Sequence, residues 1–169
     1  LLGSYEPDKT IFITADGEVS QSQFLCAAWS ISRALPKTNY LLNLCNDRYL
    51  FALTFAAALI RGIVSLFPPN RLSTTCHDIM GNYPDSHCIA DIPVEGVAPS
   101  DQTTIVPPSL DEVIPELPMI EPDRLAFIAF TSGSTGRPKP HPKYWGDLVG
   151  CAYAGARRFG FGPERSIVA

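Results

Sequence analysis

A buried strand, a buried helix and a second buried strand follow one another between residues 40 and 67, and this succession constrains the fold most strongly. Residues 40–45 (YLLNLC) are a short apolar run of strand length. Asn46 and Asp47 can cap the helix that follows to Arg61, which is apolar on nearly all sides and is therefore expected to be buried. Gly62 ends this helix, and residues 63–67 (IVSLF) predict the next strand. The succession is typical of a parallel crossover unit.

Further elements are predicted on both sides of this unit. A hairpin turn at Asp16-Gly17 leads into a helix whose first residues include a capping box of Ser20 and Gln23. A shorter helix at residues 74–80 and a strand at residues 87–91 follow the crossover unit. The predicted fold class is therefore α/β, with a parallel sheet and flanking helices.

Composition excludes several classes of protein. A hydrophobic share of 46% and a charged share of 18% over 169 residues predict a folded core rather than disorder. The 13 basic and 17 acidic residues are scattered, which argues against nucleic acid as a partner. The longest apolar run, residues 49–60, is shorter than the roughly 20 residues of a membrane span. Five cysteines without a C-x-x-C pair are typical of reduced thiols and predict a cytoplasmic location.

Proline content divides the chain into three portions. Seven prolines lie between residues 93 and 122, which predicts a long surface connection with an edge strand near residues 103–106. The expected organisation is a first α/β portion at 1–92, this connection at 93–122 and a third portion at 123–169. The first residue is not Met and residues 166–169 resemble the opening of a strand, so we expect a piece of a longer protein.

The most informative residues form a loop after a buried strand at residues 125–130. Two glycines among small hydroxyl residues let the backbone approach a ligand, while Lys139 adds a positive charge. This composition predicts a phosphate-binding loop, although a plain solvated turn has the same composition. The loop is not a Walker A sequence, in which Lys directly follows the second Gly, and Ser134 lacks the G-x-S-x-G context of a nucleophile.

Residues 131–139 resemble the signature phosphate loop of the adenylate-forming superfamily, which includes acyl-CoA synthetases, adenylation domains of nonribosomal peptide synthetases, and luciferases. All nine positions fit (S/T)-S-G-(S/T)-T-G-x-P-K. Asp123 and the segments 18–24 and 56–70 are similar to family segments of lower specificity, so the resemblance covers nearly the whole chain. Pro140 replaces the family's usual glycine and stiffens the loop exit. His141 could reach a phosphate or an acyl carboxylate, although a loop histidine without a role is the simpler interpretation.

The resemblance implies the N-terminal part of an AMP-forming ligase that uses ATP and Mg²⁺. Such an enzyme activates a carboxylic acid to an acyl-adenylate, releases pyrophosphate, and transfers the acyl group to the thiol of coenzyme A or a carrier protein. The family's catalytic lysine, ribose-binding acidic residue and acyl pocket lie later, so we expect no catalytic residue and no turnover in these 169 residues. The hydroxyl donors or metal contacts that the resemblance implies are Thr131, Ser132, Ser134 and Thr135. The glycines that would let the ligand approach the backbone closely are Gly133 and Gly136, and the positive charge is that of Lys139.

Other interpretations of the same sequence remain open. A noncatalytic interaction module with the same fold and a degenerate nucleotide site is the main alternative, and a phosphotransferase that releases ADP is a weaker one. Cys76-His77 and His87-Cys88 contain zinc-ligand types, but adjacent residues rarely aim at one ion, so we expect buried thiols and surface histidines. Tyr144 and Trp145 are expected to pack against the sheet rather than border a ligand.

Overall fold

The fold is described from a computed structural model, which describes residues 5–106, 108, 117–132 and 138–160. Within these residues the chain forms one large sheet, one small hairpin sheet and four α-helices. A 3-10 turn at Pro99–Asp101 precedes β6. In chain order the elements are β1 (Thr10–Thr14), β2 (Gly17–Ser20), α1 (Gln21–Ala34), β3 (Tyr40–Asn43), α2 (Arg48–Arg61), β4 (Val64–Phe67), α3 (Ser73–Asn82), β5 (Ser86–Ala90), β6 (Gln102–Thr104), β7 (Leu125–Ser132), β8 (Pro138–Tyr144) and α4 (Trp145–Phe159).

The large sheet has the strand order β6-β5-β3-β4-β7-β8. The first five strands are parallel, which confirms the predicted α/β class and the crossover unit β3-α2-β4. β8, at one edge of the sheet, is antiparallel to β7. Strands from all three proline-divided portions of the sequence belong to this one sheet, while the division into portions remains a prediction.

Local capping signals in the sequence are confirmed. Ser20 and Gln23 form the predicted capping box at the start of α1. The Leu50 N–H donates to Asp47 Oδ1 over 2.8 Å at the start of α2. Gly62 ends α2 with a φ of 71°, in the left-handed region that glycine adopts readily. These caps fix where α1 begins and where α2 begins and ends.

The core has one layer on each face of the sheet. Leu41 and Leu42, both fully buried, are neighbours in β3 and therefore point to opposite faces. Leu41 packs with Leu53 and other residues of α1 and α2, and Leu42 packs with Ile79 of α3 and its neighbours. β3 and its neighbouring strands are thus covered by helices on both sides.

Several boundaries differ from the prediction. α3 begins one residue before the predicted 74–80 and ends at Asn82, where the Tyr83 N–H bonds the Ile79 and Met80 carbonyls. Residues 138–144, expected to be a loop exit, form β8. Tyr144 was expected to pack on the sheet but is 43% exposed, because it ends an edge strand. None of the described helices is long and apolar enough to cross a membrane.

Candidate functional site

The two ends of the predicted phosphate loop are adjacent strand ends. β7 ends at Ser132 and β8 begins at Pro138, and the register pairs these two residues with each other. Thr131 pairs with Lys139 one step further from the loop. Three of the seven predicted site residues are therefore close together. The other four, Gly133, Ser134, Thr135 and Gly136, lie outside the described residues.

Alternation in β8 separates two kinds of residue. Prolines 138, 140 and 142 alternate with Lys139, His141 and Lys143. Proline has no N–H, so the N–H groups that β8 can donate to β7 within this stretch belong to the lysines and the histidine. Because side chains alternate between faces in a strand, these three residues lie on one face and the prolines on the other.

The face that carries Thr131 and Lys139 is the one covered by α2. Phe127, four residues before Thr131 in β7, lies on this face, and its ring is 5.8 Å from the ring of Phe55 in α2. Thr131, Ser132 and Lys139 lie beyond this packed region and are exposed. In the described part of the chain Lys139 forms no ion pair, so its charge is available to an anion.

His141 contacts the first hydroxyl group of the loop. Its Nε2 lies 3.2 Å from Thr131 Oγ1, and the histidine is half-buried. The simpler interpretation from the sequence, a loop histidine without a role, did not foresee this contact. Only the register of β7 and β8 places the two residues together, so no local signal in the sequence could have found it.

A groove of about 720 Å³ lies on the opposite face of β7 and β8, against α3. Its walls include Tyr83 and Phe130, whose rings are 5.7 Å apart and nearly perpendicular. Burial raises the pKa of Tyr83, so the phenol stays protonated. Pro138 and Pro140 line the groove, whereas Lys139 lies on the other face. The groove is therefore on the face opposite Thr131 and Lys139, while Ser132 pairs with the groove-lining Pro138.

The cysteine and histidine pairs considered as metal ligands have structural environments. Cys76 and Cys88 are fully buried, and His87 Nε2 lies 2.9 Å from Thr103 Oγ1 of the neighbouring strand. Among residues 5–106, 117–132 and 138–160, no three His, Cys, Asp or Glu side chains are grouped to hold a metal ion.

No family model matches the sequence. A search of curated proteins also gives no match. Solved structures do match. MenE from Bacillus subtilis, an o-succinylbenzoate CoA synthetase in complex with the acyl-adenylate intermediate OSB-AMP, is 18% identical with a TM-score of 0.65, over 92% of this chain and 44% of that chain. MenE has also been solved with ATP and a magnesium ion.

Two further structures have the same fold. The N-terminal subdomain of NpsA from Klebsiella oxytoca is 18% identical with a TM-score of 0.63, over 85% of this chain and 40% of that chain. McyG A-PCP, complexed with phenylalanyl-adenylate, is 17% identical with a TM-score of 0.60, over 88% of this chain and 28% of that chain. This chain thus spans less than half the length of each of these structures. Its fold is that of adenylate-forming enzymes, which confirms the resemblance seen in the sequence at the level of the fold.

Proposed function

We propose that this chain is part of an ATP-dependent ligase that converts a carboxylic acid to an acyl-adenylate and pyrophosphate. The observation that carries the proposal is the nine-residue pattern at 131–139, whose ends meet at adjacent strand ends of an adenylate-forming fold. The exposed Thr131, Ser132 and Lys139 support it, because they are free to contact a polyphosphate. The proposal also assigns Gly133, Ser134, Thr135 and Gly136 to the same loop.

The role of the loop follows from where charge develops. The carboxylate oxygen attacks the α-phosphorus, a new P–O bond forms, and the bond to the β-phosphate oxygen breaks. Negative charge then accumulates on the departing pyrophosphate. Hydroxyl and N–H donors and the Lys139 ammonium, fixed before the reaction, stabilise that charge without reorganising. In this proposal the loop binds and orients the polyphosphate, and no residue of this chain takes a proton.

Magnesium fits this site as a companion of the nucleotide. Mg²⁺ prefers oxygen ligands and commonly keeps several waters while bound to substrate phosphates. The Thr131 and Ser132 hydroxyls are oxygen donors of a suitable kind, and neither is buried. When bound, the ion would neutralise phosphate charge.

The acyl acceptor and the location are also part of the proposal. The neighbours include a CoA synthetase and an A-PCP protein, so either coenzyme A or a carrier protein is a compatible thiol partner. All five cysteines are free, and three of them are buried. Free thiols support a reducing compartment such as the cytoplasm.

ATP–pyrophosphate exchange by the complete protein, scanned across aliphatic, aryl and hydroxylated acids, tests the proposal. We expect exchange that depends on one acid class, and Lys139→Ala should reduce it by about tenfold to a hundredfold, as loss of a charged donor does. Lys143→Ala is the matched control, because Lys143 is an exposed lysine on the same face of β8 but four residues further from the loop.

Two results would contradict the proposal. An equal loss of exchange activity in Lys139→Ala and Lys143→Ala would indicate that any positive charge on this face of β8 supports exchange, not a contact at the loop. Absence of exchange with every acid, in a folded protein, would favour a noncatalytic interaction module with a degenerate nucleotide site. This chain expressed alone should show no turnover.

A further inference from the structure

We propose that His141 is a positioning residue for the phosphate loop, holding the Thr131 hydroxyl in the orientation that meets a bound polyphosphate. The inference rests on the proposed function, and it extends that function to a residue outside the nine-residue pattern. It is carried by the 3.2 Å contact between His141 Nε2 and Thr131 Oγ1.

His141 and Thr131 are diagonal neighbours in the antiparallel pair of β8 and β7, not directly opposite residues. Thr131 is directly opposite Lys139, and His141 is directly opposite Ala129. Diagonal neighbours in an antiparallel pair are separated by about 7–8 Å, a distance that a long or aromatic side chain can bridge. Because Ala129 carries only a methyl group, it leaves space for the imidazole to lean along the strand towards Thr131. The contact thus depends on a small residue opposite the histidine.

The contact changes what the Thr131 hydroxyl can do. An exposed threonine samples several rotamers, and the hydrogen bond selects the one that points towards His141. When the imidazole Nε2–H donates to Oγ1, the hydroxyl proton remains free to donate to a phosphate oxygen. The exposed Lys139 ammonium lies on the same face. His141 would therefore fix a neutral donor beside the positive charge.

A similar pair at the other edge of the sheet has no such loop. His87 of β5 and Thr103 of β6 are 2.9 Å apart between Nε2 and Oγ1. Thr103 is followed by Thr104, Ile105 and Val106 rather than by a sequence rich in glycine and hydroxyl residues. The His87–Thr103 pair is therefore a matched control for a histidine–threonine contact that only joins two strands.

The test compares His141→Leu and His141→Gln in the complete protein. Gln retains a polar group that can reach Oγ1, whereas Leu retains only volume. We expect His141→Leu to raise KM for ATP about threefold to tenfold with a smaller change in kcat, and His141→Gln to restore most of the affinity. In a Thr131→Val background, His141→Leu should add nothing further. His87→Leu should leave KM for ATP unchanged.

Three results would contradict the positioning role of His141. An unchanged KM in His141→Leu, an additive loss in the Thr131→Val background, or an equal loss in His87→Leu would overturn the inference. If the wild type exchanges no acid, the proposed function fails, and the same variants are compared by calorimetry with magnesium pyrophosphate. Weaker pyrophosphate binding in His141→Leu, restored in His141→Gln, would then still support the positioning role. Equal binding, or none, in all variants would overturn it.

Discussion

Two regions of the molecule differ in how they are covered. The packed region comprises β3, β4 and β5 with α1, α2 and α3, and it is buried from both faces. The open region comprises the end of β7 with β8 and α4, and α4 has no buried residue. Leu148, Val149, Ala152 and Ala156 follow a helical spacing there, yet each is only half-buried. Only the open region contains the candidate phosphate site.

This difference indicates where a substitution should act. In the packed region a side chain contributes to stability through burial, so its replacement should change the free energy of unfolding. In the open region the hydroxyls and the Lys139 ammonium contact solvent, so their replacement should change binding and leave stability almost unchanged. The following measurements test that contrast.

The largest expected difference is in thiol reactivity. Cys45 of the packed region is half-buried, and this burial raises the pKa of its thiol to about 11. The hydrogen bond with Thr54 lowers the pKa in part, and the negative charge of Asp91 raises it by a smaller amount. Cys151 in α4 is exposed. Because only the thiolate reacts, iodoacetamide at pH 8 should modify Cys45 more than about a hundredfold more slowly than Cys151. Mass spectrometry of time points measures both rates.

Two controls make this measurement specific. Cys151→Ser should remove the rapid adduct, and labelling in urea should bring all five cysteines to similar rates. Cys88, whose pKa burial raises to about 12, should be slow together with Cys45 in the folded protein. Rapid labelling of Cys45 without denaturant would show that the packed region opens as readily as α4, and the contrast would be wrong.

Most of the packed region could be predicted because its signals are local. The Ser20–Gln23 capping box, the Asp47 cap and the glycine after α2 are each visible within a few residues of sequence. β8 could not be predicted in this way, since three prolines in seven residues are typical of a loop. Pairing with β7 makes a strand possible because the prolines fall on alternate positions. The His141 contact depends on the same long-range pairing, so it was missed too.

A smaller effect is expected from the two glycines that end helices. Gly62 of the packed region and Gly160 after α4 have φ values of 71° and 61°, so alanine should cost about 1–2 kcal/mol at each. At Gly62 a Cβ would also lie 1.8 Å from Arg124 Nη2, whereas at Gly160 it would meet no atom of the described residues within 4 Å. Urea unfolding should therefore show a larger loss for Gly62→Ala than for Gly160→Ala.

A double variant separates strain from displacement at Gly62. The Arg124 side chain is flexible and can move away from a new Cβ, but it then loses its present position beside Gly62, just before β4. In an Arg124→Ala background, Gly62→Ala should lose only about as much stability as Gly160→Ala. Equal losses for the two glycine variants in the wild-type background would show that the Arg124 position contributes nothing to stability.

The smallest expected effect concerns His87 at the edge of the packed region. Burial lowers its pKa below 6.5, partly offset by Asp101, so folding favours the neutral imidazole. Its contribution to stability is complete above pH 6.5 and is lost as the pH falls from 6.5 towards the folded-state pKa, because the unfolded chain then binds more protons. His87→Gln should flatten the pH dependence of the urea midpoint between pH 7 and 5.

Asp101→Asn supplies the opposite change at the same site. Removing that negative charge should lower the pKa of His87 further, so the loss of stability should extend to a lower pH than in the wild type. If the urea midpoint of His87→Gln depends on pH as steeply as that of the wild type, another group causes the pH dependence. An Asp101→Asn profile identical to the wild type would show that solvent screens this pair completely. This second result would mean that the side chains of His87 and Asp101 are as open to solvent as the exposed residues of β8.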